Sequence, residues 1–110
     1  MRLRSDIWVS AYLRRCAVEG AAAYLRRRGA EAAGAIFVKI DRLDGLCALF
    51  GPAPQSEVEQ GDRLFARMHR EDWIDPADAE ARLTREQKFD SDLWIVEIED
   101  RQGRHFLDLA

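Results

Sequence analysis

The feature that most constrains this chain is the run Gly34-Ala35-Ile36-Phe37-Val38-Lys39-Ile40, followed shortly by Asp44-Gly45. β-Branched and aromatic side chains suit a pleated, packed surface, and an Asp-Gly pair readily takes the positive φ that a hairpin turn requires. Leu46 to Phe50 then reads as the returning strand. Residues 51–56, Gly-Pro-Ala-Pro-Gln-Ser, end the hairpin as a loop, because proline lacks the N–H a ladder needs and restricts the residue before it. An antiparallel sheet is therefore the centre of the expected fold.

The flanking segments extend it. Trp8, Val9, Tyr12, Leu13, Cys16 and Ala17 recur at helical spacing behind Ser5-Asp6, so a first helix is predicted from Ser5 to Glu19, capped by Ser5 or Asp6 and closed by Gly20 in the left-handed region. Residues 21–28, Ala-Ala-Ala-Tyr-Leu-Arg-Arg-Arg, favour helix by composition, but Gly20 and Gly29 isolate them, and they read as an edge strand. Leu64, Ala66 and Met68 alternate with Arg63, Arg67 and His69, which predicts a third meander strand over 62–69. Asp75-Pro76-Ala77-Asp78 opens a second helix running to Lys88, with Asp75 as cap and Pro76 in first position. Its large apolar residues are Leu83 and Phe89, so it should bury only a narrow stripe. Trp94, Val96 and Ile98 alternate with Ile95, Glu97 and Glu99, and Asp100-Arg101-Gln102-Gly103 is expected to turn the chain into a closing hairpin strand, Arg104 to Leu109. The expected architecture is α+β: an antiparallel sheet, meander plus C-terminal hairpin, packed with two helices as one domain over residues 1–110.

Composition excludes several classes. The apolar runs are too short and too often broken by Arg or Glu for a membrane-spanning helix, and the start does not read as a secretory signal. The chain is expected in the cytoplasm. Cys16 and Cys47 lie among apolar neighbours and read as buried free thiols in a reducing compartment. The net charge of -3 is uneven, with nine Lys/Arg against four Asp/Glu in residues 1–42 and eight against sixteen in the remainder. Unless folding interleaves these charges, they fall on separate surfaces able to steer a partner.

Three blocks carry a family resemblance. They are Ser-Asp-Ile-Trp-Val-Ser-Ala-Tyr-Leu-Arg-Arg-Cys (5–16), Gly-Ala-Ile-Phe-Val-Lys-Ile (34–40) through Gly-Pro-Ala (51–53), and Phe-Asp-Ser-Asp-Leu-Trp-Ile-Val-Glu-Ile-Glu-Asp (89–100) with Arg-His-Phe-Leu (104–107). In this order they resemble a small bacterial family, domain of unknown function 1491. The resemblance implies a stand-alone bacterial protein of about this length, and it implies no activity and no catalytic residues.

Candidate chemistry is sparse. Cys16, Cys47, His69 and His105 are too scattered along the chain for a metal site of the usual spacing. Gly29 and Gly34 do not match a phosphate-binding loop, and no cofactor is expected. Glu97 and Glu99 share a strand face, with Asp41 and Asp44 as neighbours across the sheet, which would suit a metal-dependent hydrolase; the plainer reading is a solvated strand face. Tyr24, Arg26 and Arg28 would line one face of the 21–28 strand, and with Arg27 they would make a surface suited to nucleic acid. An acidic domain argues against that use. Trp8, Trp73 and Trp94 read as core or core-edge residues. With a foldable core and no credible reacting group, the leading expectation is a non-enzymatic interaction module that meets a protein partner or forms a homodimer.

Overall fold

A computed structural model of the chain describes residues 3–54 and 63–110. Helix α1 (Ser5–Val18) precedes strands β1 (Ala22–Arg27), β2 (Ile36–Asp41), β3 (Cys47–Pro52) and β4 (Phe65–Arg67); helix α2 (Pro76–Phe89) and strand β5 (Trp94–Glu99) follow. Among the described residues, five strands form one sheet in the order β1-β5-β2-β3-β4. The α+β class is as expected, and among the described residues no helix is long and apolar enough to cross a membrane.

Local signals set the helix ends in part. Val9, Tyr12 and Cys16 are buried at the predicted spacing, and Gly20 takes φ 82° where α1 closes. Ser5 does not cap the helix. Its buried hydroxyl instead donates to the Gly34 carbonyl at 2.7 Å, tying the start of α1 to the approach to β2. Pro76 opens α2 as predicted, although the Asp75 side chain makes no capping bond. Ala79 and Leu83 are the buried residues of α2, while Phe89, at 89% exposure, lies outside the stripe.

The β2–β3 hairpin turns where the Asp-Gly signal put it. Asp41 pairs with Cys47, and positive φ falls on Leu43 and Gly45, so the connection is wider than a two-residue turn. β3 runs further than expected, through Gly51 and Pro52. The ladder beyond that proline is carried by the Ala53 N–H to the Leu64 carbonyl at 3.0 Å, so the missing donor does not stop the pairing. Gln55 and Ser56 of the expected loop, and Asp62 of the expected third strand, lie outside the described residues. β2, β3 and β4 do form an antiparallel meander.

The closing hairpin does not form, and the sheet is not wholly antiparallel. β5 is antiparallel to β1 on one side and parallel to β2 on the other, with Asp41 and Ala22 both registered on Glu99. With both its edges paired, β5 leaves no ladder for residues 104–109. Both β2 and β5 are buried over their first five residues, which explains why such apolar runs take the middle of the sheet. The chain does turn at Asp100 to Gly103, where Gly103 has φ 69°. It then crosses the α1 side, where Leu107 is buried and the Phe65 N–H reaches the Asp108 carbonyl at 2.9 Å.

Two cores result. Val9, Tyr12 and Cys16 of α1 pack on Ile36, Val38, Ile40, Phe50, Trp94, Val96 and Ile98. Ala79 and Leu83 of α2 pack on the opposite face against Phe37, Leu49 and Ile95. Cys16 and Cys47 are free and fully buried, one in each core, and burial pushes both thiols up from their ordinary pKa.

Candidate interaction site

β1 is the edge strand, and one irregularity decides where its side chains go. Tyr24 pairs with Glu97 and Leu25 with Val96, but the next register partner, for Ile95, is Arg27; Arg26 is the extra residue of a bulge. A bulge shifts the two-residue alternation by one, so side chains beyond it change face. Tyr24 and Arg26 therefore lie on the α2 side, whereas Arg28 sits over the Trp94 ring at 5.1 Å on the α1 side. Arg27 forks onto backbone instead, donating to the carbonyls of Leu93 at 2.6 Å and Ser91 at 2.8 Å. The structure thus separates the expected surface of Tyr24, Arg26, Arg27 and Arg28 into three environments.

On the α2 side the charges interleave. Arg26 reaches both carboxylate oxygens of Glu80, Nη2 to Oε1 at 2.7 Å and Nη1 to Oε2 at 2.9 Å, and its Nη1 also meets Glu97 Oε1 at 3.0 Å. Lys39 Nζ donates to Glu80 Oε2 at 2.7 Å and lies 3.8 Å from Glu97. Cations from the basic first part of the chain are matched here by acids from the second, so the sequence asymmetry does not become two opposed surfaces at this place. The Arg26 guanidinium, against the opposing effect of partial burial and reinforced by Lys39, holds the Glu80 carboxyl at about 2. Burial is the largest single influence on Lys39 and would lower its pKa, yet the bond to Glu80 together with the charges of Glu97 and Glu80 outweighs it, and the ammonium is held above its ordinary value. Partial burial and the Glu97 carboxylate push the Tyr24 hydroxyl up.

This cluster also answers the carboxylate reading. Ligand atoms of Asp41, Glu97 and Glu99 lie within 4.8 Å of one another, as the strand pattern suggested, while Asp44 pairs with Arg42 in the hairpin loop. The face is not simply solvated, since Glu97 is only 5% exposed. Arg26 and Lys39 already supply Glu97 with positive charge. Chemically, the buried Glu97 and its neighbour Glu80 are matched by Arg26 and Lys39, the condition under which buried ions are tolerated, while Asp41 and Glu99 lie at the less buried margin of the same face.

The other side of β1 is open. A groove of about 360 Å³ runs between α1 and β1, with Ile7, Leu13 and Arg14 on the helix wall, Leu25 and Arg28 on the strand wall, and Trp94 at its base. Ile7 is 49% and Leu25 36% exposed, an unusual state for two aliphatic side chains facing one cleft. Among the described residues β1 has β5 on one side and no strand on the other. Sequence reasoning found the edge strand but not the groove. The available signal was Ile7, an apolar residue outside the buried Val9-Tyr12-Cys16 stripe. Glu80 had no such signal, because its partners are 54 and 41 positions away.

Among the described residues, a mixed five-stranded sheet with one helix on each face and an edge strand beside a groove defines an α+β domain. Residues 3–108 match the family described as "Protein of unknown function (DUF1491)", and the chain belongs to that family. It is similar to the crystal structure of a DUF1491 family protein from Caulobacter crescentus CB15, at 40% identity over 99% of this chain and 97% of that one, with a TM-score of 0.82. It is also similar to the solution structure of protein Atu0922 from A. tumefaciens, at 41% identity over 100% and 96% of the two chains, with a TM-score of 0.84. No curated protein matches the chain. The function of the family is unknown.

Proposed function

We propose that this protein is a non-enzymatic interaction module that takes up an extended segment of a partner protein as a further strand on β1. The observation that carries this reading is the edge of β1, which has no strand beyond it among the described residues and lies beside the exposed Ile7 and Leu25. Unpaired N–H and C=O groups of an edge strand are a template for one more strand, and an adjacent pocket for alternate side chains gives such binding its selectivity. Arg26 and Arg27, which would otherwise guard the edge as free cations, are drawn onto Glu80, Glu97 and the backbone of residues 91 and 93.

The test is selection of short random peptides against the immobilised protein, followed by amide exchange on the complex with the best binder. Slowed exchange at Ala22 to Leu25 is expected. N-methylating alternate peptide amides should abolish binding in one phase and spare it in the other, because only every second amide faces the ladder. A selection that returns no binder, or a footprint away from β1, overturns the proposal. So does a concentration-dependent dimer that itself protects β1, since a second copy would then occupy the edge.

A further inference from the structure

The structure assigns a ligand chemistry to the groove beside β1: an extended segment bearing an apolar side chain with a carboxylate two residues before or after it. This rests on the strand-addition reading and specifies what the added strand carries. Alternate residues of a strand point to one face, so those on the α1 side of an added strand recur every second position and enter the groove together. One of them meets Leu25 and Ile7, which are exposed there and backed by Trp94. Its neighbour on that face comes under the two arginines of the groove walls.

Charge bookkeeping around the groove leaves a surplus of cation. Asp6 is held by Arg4 at 3.2 Å, and Glu31 meets Arg28 at 3.6 Å with both side chains mostly exposed. Arg14 is exposed on the helix wall and has no acidic partner among the described residues. An exposed pair as long as that of Arg28 and Glu31 contributes little and exchanges readily for an incoming carboxylate. Arg28 is also braced by the Trp94 ring at 5.1 Å, which positions its guanidinium before a ligand arrives. The groove is thus locally basic on a chain whose net charge is -3, so it attracts acidic segments that the rest of the surface repels.

The experiment uses three capped peptides of alternating threonine and valine, identical except for Glu, Gln or Lys two residues from the central valine. Affinities come from calorimetry and the footprint from amide exchange. All three should slow exchange at Ala22 to Leu25, with Glu tightest and Lys weakest; each step is expected to be roughly threefold, the worth of one partly exposed charge contact. Arg14→Glu and Arg28→Glu should each shrink or reverse the order without moving the footprint, and Arg14→Gln should erase the contribution of Arg14 alone. In about 1 M salt, where the screening length is near 3 Å, the preference should collapse while binding persists. Equal affinity of the three peptides at β1, or an order unchanged in both charge reversals, overturns the carboxylate assignment and leaves strand addition standing. Absence of any footprint at β1 removes the strand-addition reading itself.

Discussion

Replacing Glu80 with Gln keeps the shape of the side chain and removes the charge that Arg26 and Lys39 share. In the folded protein the Glu80 carboxyl is held at about 2, against an ordinary value of 4.5. At 1.36 kcal/mol per pKa unit the whole shift corresponds to about 3 kcal/mol, an upper bound for a dry site. The Glu80 side chain is 43% exposed, and solvent screening reduces its share to about 1 kcal/mol. The variant also leaves Lys39 with Glu97 alone, 3.8 Å away, and that buried ammonium adds to the loss. Glu80→Gln should therefore lower stability by about 1–2 kcal/mol at neutral pH, read as a shift of the urea midpoint at constant slope. The sign of the pH dependence follows from the depressed folded pKa. The contribution of Glu80 is complete above 4.5 and is lost as pH falls toward about 2, so the gap between wild type and variant should close across that window. Equal stability at neutral pH, or a gap that stays constant as the pH is lowered through the window, would refute the assignment of Glu80 as the hub of this cluster.

Cys16 and Cys47, fully buried with raised thiol pKa values, should label with a thiol reagent only as fast as the protein unfolds globally; rapid labelling of either in native protein contradicts the packing described. Millimolar magnesium or manganese should raise the melting temperature by less than about 1 °C, because Arg26 and Lys39 stand against Glu97, the most buried of the three carboxylates, and would repel the ion. A larger rise that vanishes in Asp41→Asn would show that the carboxylates prefer a metal ion to their built-in cations.

What the sequence made legible is what short-range chemistry decides. Ile36 to Ile40 form a strand because β-branched and aromatic residues follow one another; Gly20 closes α1 because it alone tolerates φ 82° there at little cost; Pro76 starts α2 because its missing N–H is not needed in the first turn. The partners of β5 were not legible in the same way. Trp94 to Ile98 would suit an edge hairpin or a central slot, and the choice rests on competition with β1 and β2 for the two ladders, a contact between segments far apart in the chain. The carboxylate trio was partly legible, since Glu97 and Glu99 share a face by alternation, yet Asp41 joins them only because β2 and β5 run parallel in register. Ser5 shows the opposite failure. A residue suited to capping was claimed by the Gly34 carbonyl, a tertiary partner that no local pattern announces.

The bulge at Arg26 links the two sides of the edge. Without the extra residue, Arg28 would share a face with Tyr24 and Arg26, the arrangement that strict alternation implies, and the groove would lose its strand-wall cation. With it, Arg26 turns into the cluster with Glu80 and Glu97 while Arg28 turns across Trp94, so one insertion supplies a partly buried ion network on one face and a positive wall on the other. The same insertion limits the edge. A bulge twists and interrupts a ladder, so regular pairing is available over Ala22 to Leu25 and is broken beyond them. A long flat edge invites open-ended association, whereas a short one bounded by a bulge accepts a single segment and stops. The groove begins where that regular stretch ends, at Leu25, so under the proposed strand addition backbone pairing and side-chain selection fall in one site.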